Sequence, residues 1–120
     1  GMDEVSPMGP TRVAELLDGT VSERTITPED FGMEPCAAEE LAGGEPEENA
    51  QVIMTVLQGE EQGGARSAVL LNAGAAIYVS GAADTLKASV DLAKKALDDG
   101  SALEALDLLR TATRAPWKHD

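Results

Sequence analysis

GARSAVLLNAGAAIYVSG, running from Gly64 to Gly81, is apolar on nearly every side, so it is the stretch the other segments must cover. Val69, Leu70, Ala73, Ala76 and Ile77 form one stripe at helical spacing, and Leu71, Ala75, Tyr78 and Val79 leave the opposite side only slightly more polar. A helix that is hydrophobic all round is a buried helix. It is too short for a membrane span and carries Arg66 and Asn72. Ala73, Gly74, Ala75 and Ala76 are small enough to let neighbouring backbones approach closely, and Asn72 requires a hydrogen-bond partner, because an unpaired buried amide costs about 1–3 kcal/mol.

The remaining composition narrows what can surround this helix. A chain of 120 residues is one domain's worth, able to bury roughly two-thirds of its unfolded surface. Phe31, Tyr78 and Trp117 are its only aromatics, so Leu, Val, Ile and Ala must fill the core, which favours closely packed helices over a large sandwich. A net charge of −13 repels nucleic-acid phosphates and anionic lipid headgroups, which sets aside nucleic-acid and membrane-surface roles. An anionic small substrate stays open if a metal ion screens the charge locally. Cys36 is the only cysteine, so no internal disulfide forms, and one thiol with one His makes no zinc cage. A reduced, cytoplasmic setting is expected, with no signal peptide at the N-terminus.

Outward from the central helix, the opening GMDEVSPMGP has two prolines and two glycines in ten residues and reads as a loop. Thr11 to Leu17 and Val21 to Ile26 read as strands joined by Asp18-Gly19, a strong hairpin-turn signal. Thr27-Pro28-Glu29-Asp30 predicts a single helical turn, stopped by Gly32 and pinned to the core by Phe31; Ala37 to Ala42 predicts a second turn. Pro46 opens a helix with a Val52, Ile53, Val56 and Leu57 stripe, closed by Gly59. After Gly81, Asp84 is the expected cap of a helix burying Leu86, Val90, Ala93 and Leu97, with Lys94 and Lys95 in its last turn and Gly100 as its stop. Ser101 and Glu104 have capping-box spacing for a last helix that buries Leu103, Leu106, Leu109 and Leu108 and ends at Pro116.

The fold class is therefore α/β, a short antiparallel hairpin followed by about four helices. The expected layout is one partial domain, with loop and hairpin over 1–35, a helical part over 36–116 and a tail over 117–120. A lone hairpin is marginal in water, so this one is expected to belong to a larger sheet whose other strands lie elsewhere.

Among chemistry-bearing residues, Asp3 and Glu4 stand out. Two adjacent carboxylates on a Gly- and Pro-rich loop can turn toward one point, whereas on a strand they face opposite sides. Carboxylate oxygens suit hard Mg²⁺, which takes one or two protein carboxylates and completes its octahedron with substrate phosphates and water. Adjacent acids are also common on plain surfaces. The acids from Glu39 to Glu48 read as a solvated face that complements helix dipoles, Cys36 as a buried or inert thiol, and Asn72 as a helix-packing hydrogen bond. His119 lies in the tail beside Asp120, and Ser6, Ser67, Ser80, Ser89 and Ser101 have no His placed to activate them. No glycine-rich phosphate cradle of Walker or dinucleotide type occurs.

Taken in order, GMDEVSPMGPTRVAEL, TITPEDFGMEP, GGEPEENAQVI and AVLLNAGAAIYVSG resemble the C-terminal part of the α/β domain of the anthranilate phosphoribosyltransferase family, from Gly1 to about Leu109. The resemblance implies a fragment of the larger nucleoside phosphorylase class II-like fold. It further implies Mg²⁺-dependent transfer of phosphoribosyl from phosphoribosyl pyrophosphate to anthranilate in tryptophan biosynthesis, with Asp3 and Glu4 matching the acidic pair that helps hold magnesium against the pyrophosphate. It makes Gly1 native-like, although Gly1-Met2 also reads as a tag scar. The family's GTGGD loop, KHGN stretch and helical N-terminal domain have no counterpart here, so both substrates are expected only in the complete enzyme and the isolated chain is expected to be inactive. Two alternatives stand beside this reading: a stand-alone, non-catalytic interaction module derived from the fold, and a relative of the pyrimidine nucleoside phosphorylases. A homo-oligomer is a further expectation, as a way to cover apolar surface.

Overall fold

Asp18 and Gly19 both adopt positive φ, 49° and 78°, the two-residue turn whose twist matches that of the flanking strands. They join β1 (Thr11–Leu17) to β2 (Thr20–Ile26) in an antiparallel pair, with Thr11 opposite Ile26 and Leu17 opposite Thr20. The second strand begins one residue earlier than the sequence suggested. The computed structural model describes residues 2–114; among them these two strands form one two-stranded sheet. The expectations for Pro116, Trp117 and His119 lie outside the described residues.

Two short 3-10 turns follow, at Pro28–Phe31 and Ala38–Leu41. In the first, the Thr27 N–H donates to Asp30 Oδ2 (2.8 Å), and Gly32 at φ 73° ends the turn. Its anchors differ from expectation: Pro28 is fully buried and Met33 packs on the core, while Phe31 is half-buried. The second turn is tied to the central helix by one carboxylate. Glu40 accepts from the Ala37 N–H (2.9 Å) through Oε1 and from the Gly64 N–H (3.0 Å) through Oε2. Those two backbone donors stabilise the charged form and hold the Glu40 carboxyl below its usual range. A lowered folded value means that this contribution is complete above the ordinary value of 4.5 and disappears as pH falls through the lowered one. Accordingly, Glu40→Gln is expected to reduce the slope of stability against pH on the acid limb, read by urea unfolding at stepped pH.

The helical part comprises α1 (Pro46–Leu57), α2 (Gly64–Val79), α3 (Leu86–Asp98) and α4 (Ser101–Arg114). Pro46 occupies the first turn of α1, and Glu48 reaches back to the Glu45 N–H (2.8 Å). Asp84 proves to be one residue too early as the α3 cap: Thr85 is the N-cap, its Oγ1 accepting from the Ala88 N–H (3.1 Å). The expected Ser101–Glu104 box is also replaced. Ser101 is already helical, and Asp99 caps α4, its Oδ1 accepting from the Ser101 N–H (3.0 Å) and Oγ (2.7 Å). The Ser101 hydroxyl and N–H hold the Asp99 carboxyl below its ordinary value.

The core forms where α2 crosses α3. Val56, Leu70, Ala93 and Leu97 make its buried cluster, with Met33, Leu57, Ala65, Ala73, Ile77 and Ala102 against it. Gly74 sits at the crossing, where a Cβ would stand 2.4 Å from Val90 Cγ2 and 2.9 Å from Val90 Cα. Burial is less complete than the apolar patterns suggested. In α2, Leu70, Leu71 and Gly74 are buried, but Val69 and Ala76 are exposed and Val79 is 86% exposed. Val52 and Ile53 of α1 are about half exposed, and Leu108 and Leu109 of α4 more so. Periodicity shows which faces can be covered, and the described residues cover only some of them.

Arg66, the polar residue noted within α2, is buried, with Nη2 2.8 Å from Asp98 Oδ1. Asp98→Ala is expected to cost about 1–3 kcal/mol, because it leaves a buried guanidinium without its anion. Arg66→Met should cost less, since a well-packed apolar replacement removes the desolvated charge as well. Chemical denaturation of the two variants checks the order.

Candidate functional site

The loop that carries Asp3 and Glu4 is fastened immediately downstream of them. Pro7 is fully buried, and its carbonyl accepts from the Cys36 N–H (3.0 Å). Ser6 donates its N–H to Thr11 Oγ1 (2.9 Å), and the Met8 N–H returns to Ser6 Oγ (3.2 Å). The remaining tie comes from α2. Asn72 Oδ1 accepts from the Val5 N–H (2.9 Å), and Asn72 Nδ2 donates to the Val5 carbonyl (3.0 Å) and to the Ala68 carbonyl (3.0 Å). Asn72 was expected to bond between helices; instead it satisfies its amide on the loop, 67 residues away in sequence, and on its own helix.

Asp3 and Glu4 themselves are exposed, at two successive bends. Among the described residues neither enters an ion pair, and no group of three or more His, Cys, Asp or Glu is placed to hold a metal. Exposed, hard carboxylates suit a cation that draws its remaining ligands from phosphate and water, as magnesium does.

Two clefts flank the central helix. One, of about 470 Å³, lies between the N-terminal end of α2, the segment from Phe31 to Cys36 and Lys94. Gly64 closes it tightly, since a Cβ there would stand 2.9 Å from Cys36 Cβ and Sγ. Desolvation, with the nearby Glu40 charge, pushes the half-buried Cys36 thiol above its ordinary value. The other cleft, of about 620 Å³, separates the hairpin from α2 and α3 and reaches Val5, next to Glu4. Across it the Tyr78 hydroxyl donates to Glu15, whose second oxygen lies 3.6 Å from Arg24 Nη1. The hydrogen bond to Glu15, followed by desolvation, raises the Tyr78 hydroxyl above its ordinary value. This network joins hairpin and helix, a tie that sequence reasoning missed because its members are far apart in the chain.

The acids from Glu39 to Glu48 do what their positions beside helix starts suggested: Glu40 and Glu48 each accept backbone N–H groups. Ser89 is fully buried and donates to the Thr85 carbonyl (3.0 Å).

Comparison with known proteins places this arrangement. The family described as "Glycosyl transferase family, a/b domain" matches residues 1–103. The anthranilate phosphoribosyltransferase of Rubrobacter xylanophilus is 49% identical over 107 residues, which is 89% of this chain and 31% of that protein. The enzyme of that name from Haloarcula marismortui is 47% identical over 89% of this chain and 32% of its own length. The crystal structure of anthranilate phosphoribosyltransferase from Thermus thermophilus superposes with a TM-score of 0.85 at 39% identity, covering 96% of this chain and 34% of that one. The chain thus spans about a third of the length of the relatives it matches. It belongs to the glycosyl transferase family with this α/β domain, of which it is a fragment resembling the anthranilate phosphoribosyltransferases.

Proposed function

We propose that the chain is the metal-holding portion of an enzyme that transfers phosphoribosyl from phosphoribosyl pyrophosphate to the amine of anthranilate. The observation that carries this reading is the pair of exposed carboxylates at Asp3 and Glu4, on a loop fastened at Val5, Ser6 and Pro7, in a chain of this family. Bound magnesium would neutralise the pyrophosphate as it leaves with its bonding electron pair. Asp3 and Glu4 would hold that cation, and the fastened loop would keep their backbone in place as positive character develops at the anomeric carbon. The chain on its own would supply these ligands without a complete substrate site.

Exposed apolar residues call for a cover under this reading and under that of a free-standing interaction module alike. Leu16, Leu17 and Val21 on the hairpin and Val79 on α2 are each more than half exposed, which suits surface covered by the rest of a larger domain. Among the described residues no helix is long and apolar enough to cross a membrane. The reading places the enzyme in the cytoplasm, with neither nucleic acid nor membrane as partner and with homo-oligomerisation as its assembly.

The test is an assay of the full-length protein that carries this chain, supplied with phosphoribosyl pyrophosphate, anthranilate and Mg²⁺. Anthranilate should be consumed with equimolar release of pyrophosphate, and chelation should stop it. Phosphate-dependent cleavage of a pyrimidine nucleoside, without consumption of anthranilate, would overturn the reading in favour of a phosphorylase.

A further inference from the structure

We propose that Asn72 is the positioning residue for the acidic pair: by gripping both backbone polar groups of Val5, it sets the distance of Asp3 and Glu4 from the rigid central helix. This inference rests on the reading that the pair holds a divalent cation.

Three of the amide's four hydrogen-bonding positions are filled, including both of its donors. Its oxygen takes the Val5 N–H, one amide hydrogen goes to the Val5 carbonyl, and the other goes to Ala68, one turn earlier in α2. The bond to Ala68 fixes the side chain to its own helix, so the grip on Val5 is made from a stationary point. The pairing also requires a side chain with an acceptor and a donor side by side. A carboxylate would turn one oxygen toward the Val5 carbonyl, and an aliphatic side chain would leave both Val5 groups without partners. Val5 Cα is about 3.8 Å from that of Glu4, so a displacement of Val5 passes directly to the carboxylate pair. Ser6, Pro7 and Met8 are held by other contacts, to Thr11, Cys36 and within the loop. Among the described residues, Asn72 supplies the hydrogen bonds that connect the residue beside the acids to the helical core.

The acidic pair accepts no bonds from neighbours that could orient it among the described residues, so its placement depends on the backbone that leads to it. Outer-shell partners of metal-ligating groups commonly contribute 10–100-fold to metal affinity, and a backbone grip one residue away acts in the same manner.

The experiment uses the full-length protein with Mn²⁺ as the metal probe and pyrophosphate present, following bound Mn²⁺ by electron paramagnetic resonance and folding by circular dichroism. Asn72→Leu is expected to weaken Mn²⁺ binding about tenfold. Leu97→Ala, a core variant remote from the loop, serves as the control: it should lower the thermal midpoint yet keep wild-type Mn²⁺ affinity. If Asn72→Leu does not fold, Asn72→Asp, which retains the shape and one acceptor, should weaken binding in the same direction. Adding Asp3→Asn and Glu4→Gln to the Asn72 variant should produce no further dependence on residue 72, since the group it positions has been removed. Wild-type Mn²⁺ affinity in a folded Asn72 variant, with the Asp3→Asn and Glu4→Gln protein weakened, would overturn this inference alone. Wild-type affinity in the Asp3→Asn and Glu4→Gln protein would instead overturn the metal reading beneath it.

Discussion

Gly74→Ala is expected to destabilise the protein by about 3 kcal/mol, the upper end of what overpacking a core costs. The sign is what makes the result informative. Within an ordinary helix, replacing Gly by Ala stabilises by about 1 kcal/mol. Here the added methyl would meet Val90 Cγ2 at 2.4 Å, Val90 Cα at 2.9 Å and the Val90 nitrogen at 3.1 Å. A rotamer change could relieve the first contact, but the other two are backbone, so α2 and α3 must separate. That separation loosens Leu70 against Ala93 and Leu97 in the central cluster. Urea unfolding of the full-length protein reads the effect, and equal or greater stability in the variant would show that the helices do not cross at this distance.

Removing both carboxylates, Asp3→Ala with Glu4→Ala, is expected to lower turnover at limiting Mg²⁺ by about a hundredfold or more, the scale on which loss of preorganised charge stabilisation acts. Folding should be nearly unaffected, because substitutions at exposed positions without partners usually stay within about 0.5 kcal/mol. Such a separation of activity from stability distinguishes a metal-holding role from a structural one. Raising Mg²⁺ should restore part of the lost turnover in each single variant, since one carboxylate still offers the cation a ligand. A magnesium titration of anthranilate consumption checks both statements, and an unchanged magnesium dependence in the double variant would remove the pair from the site.

Much of the architecture is written in local chemistry. Asp18-Gly19 specifies its hairpin turn because few other dipeptides accept two successive positive φ angles, and Pro46, Gly59, Gly81 and Gly100 mark helix boundaries for equally local reasons. The caps were harder to place, because Asp84 and Thr85 both have suitable side chains and only the chain's path selects Thr85. The α4 cap was displaced for a related reason: Asp99, just before Gly100, reaches the first N–H of the helix before Ser101 can act. Long-range satisfaction was not legible at all. That Asn72 needed a partner followed from its setting in an apolar helix, but that the partner is Val5, beside the acidic pair, depends on tertiary structure. The exposure of Leu108, Leu109, Ile53 and Val79 was hidden for the opposite reason, since an apolar stripe reports the capacity to be covered and not the presence of a cover. The acidic pair itself was visible as Asp3-Glu4 on a Gly- and Pro-rich loop, and the structure adds that the loop is fastened.

The most direct test of the central claim is a crystal structure of the full-length protein with pyrophosphate and Mn²⁺, the metal located by its anomalous scattering. The account expects a Mn²⁺ ion coordinated at about 2.1 Å by a carboxylate oxygen of Asp3 or Glu4 and by a pyrophosphate oxygen. A metal seated on the pyrophosphate by other residues, with both carboxylates left free, would contradict it.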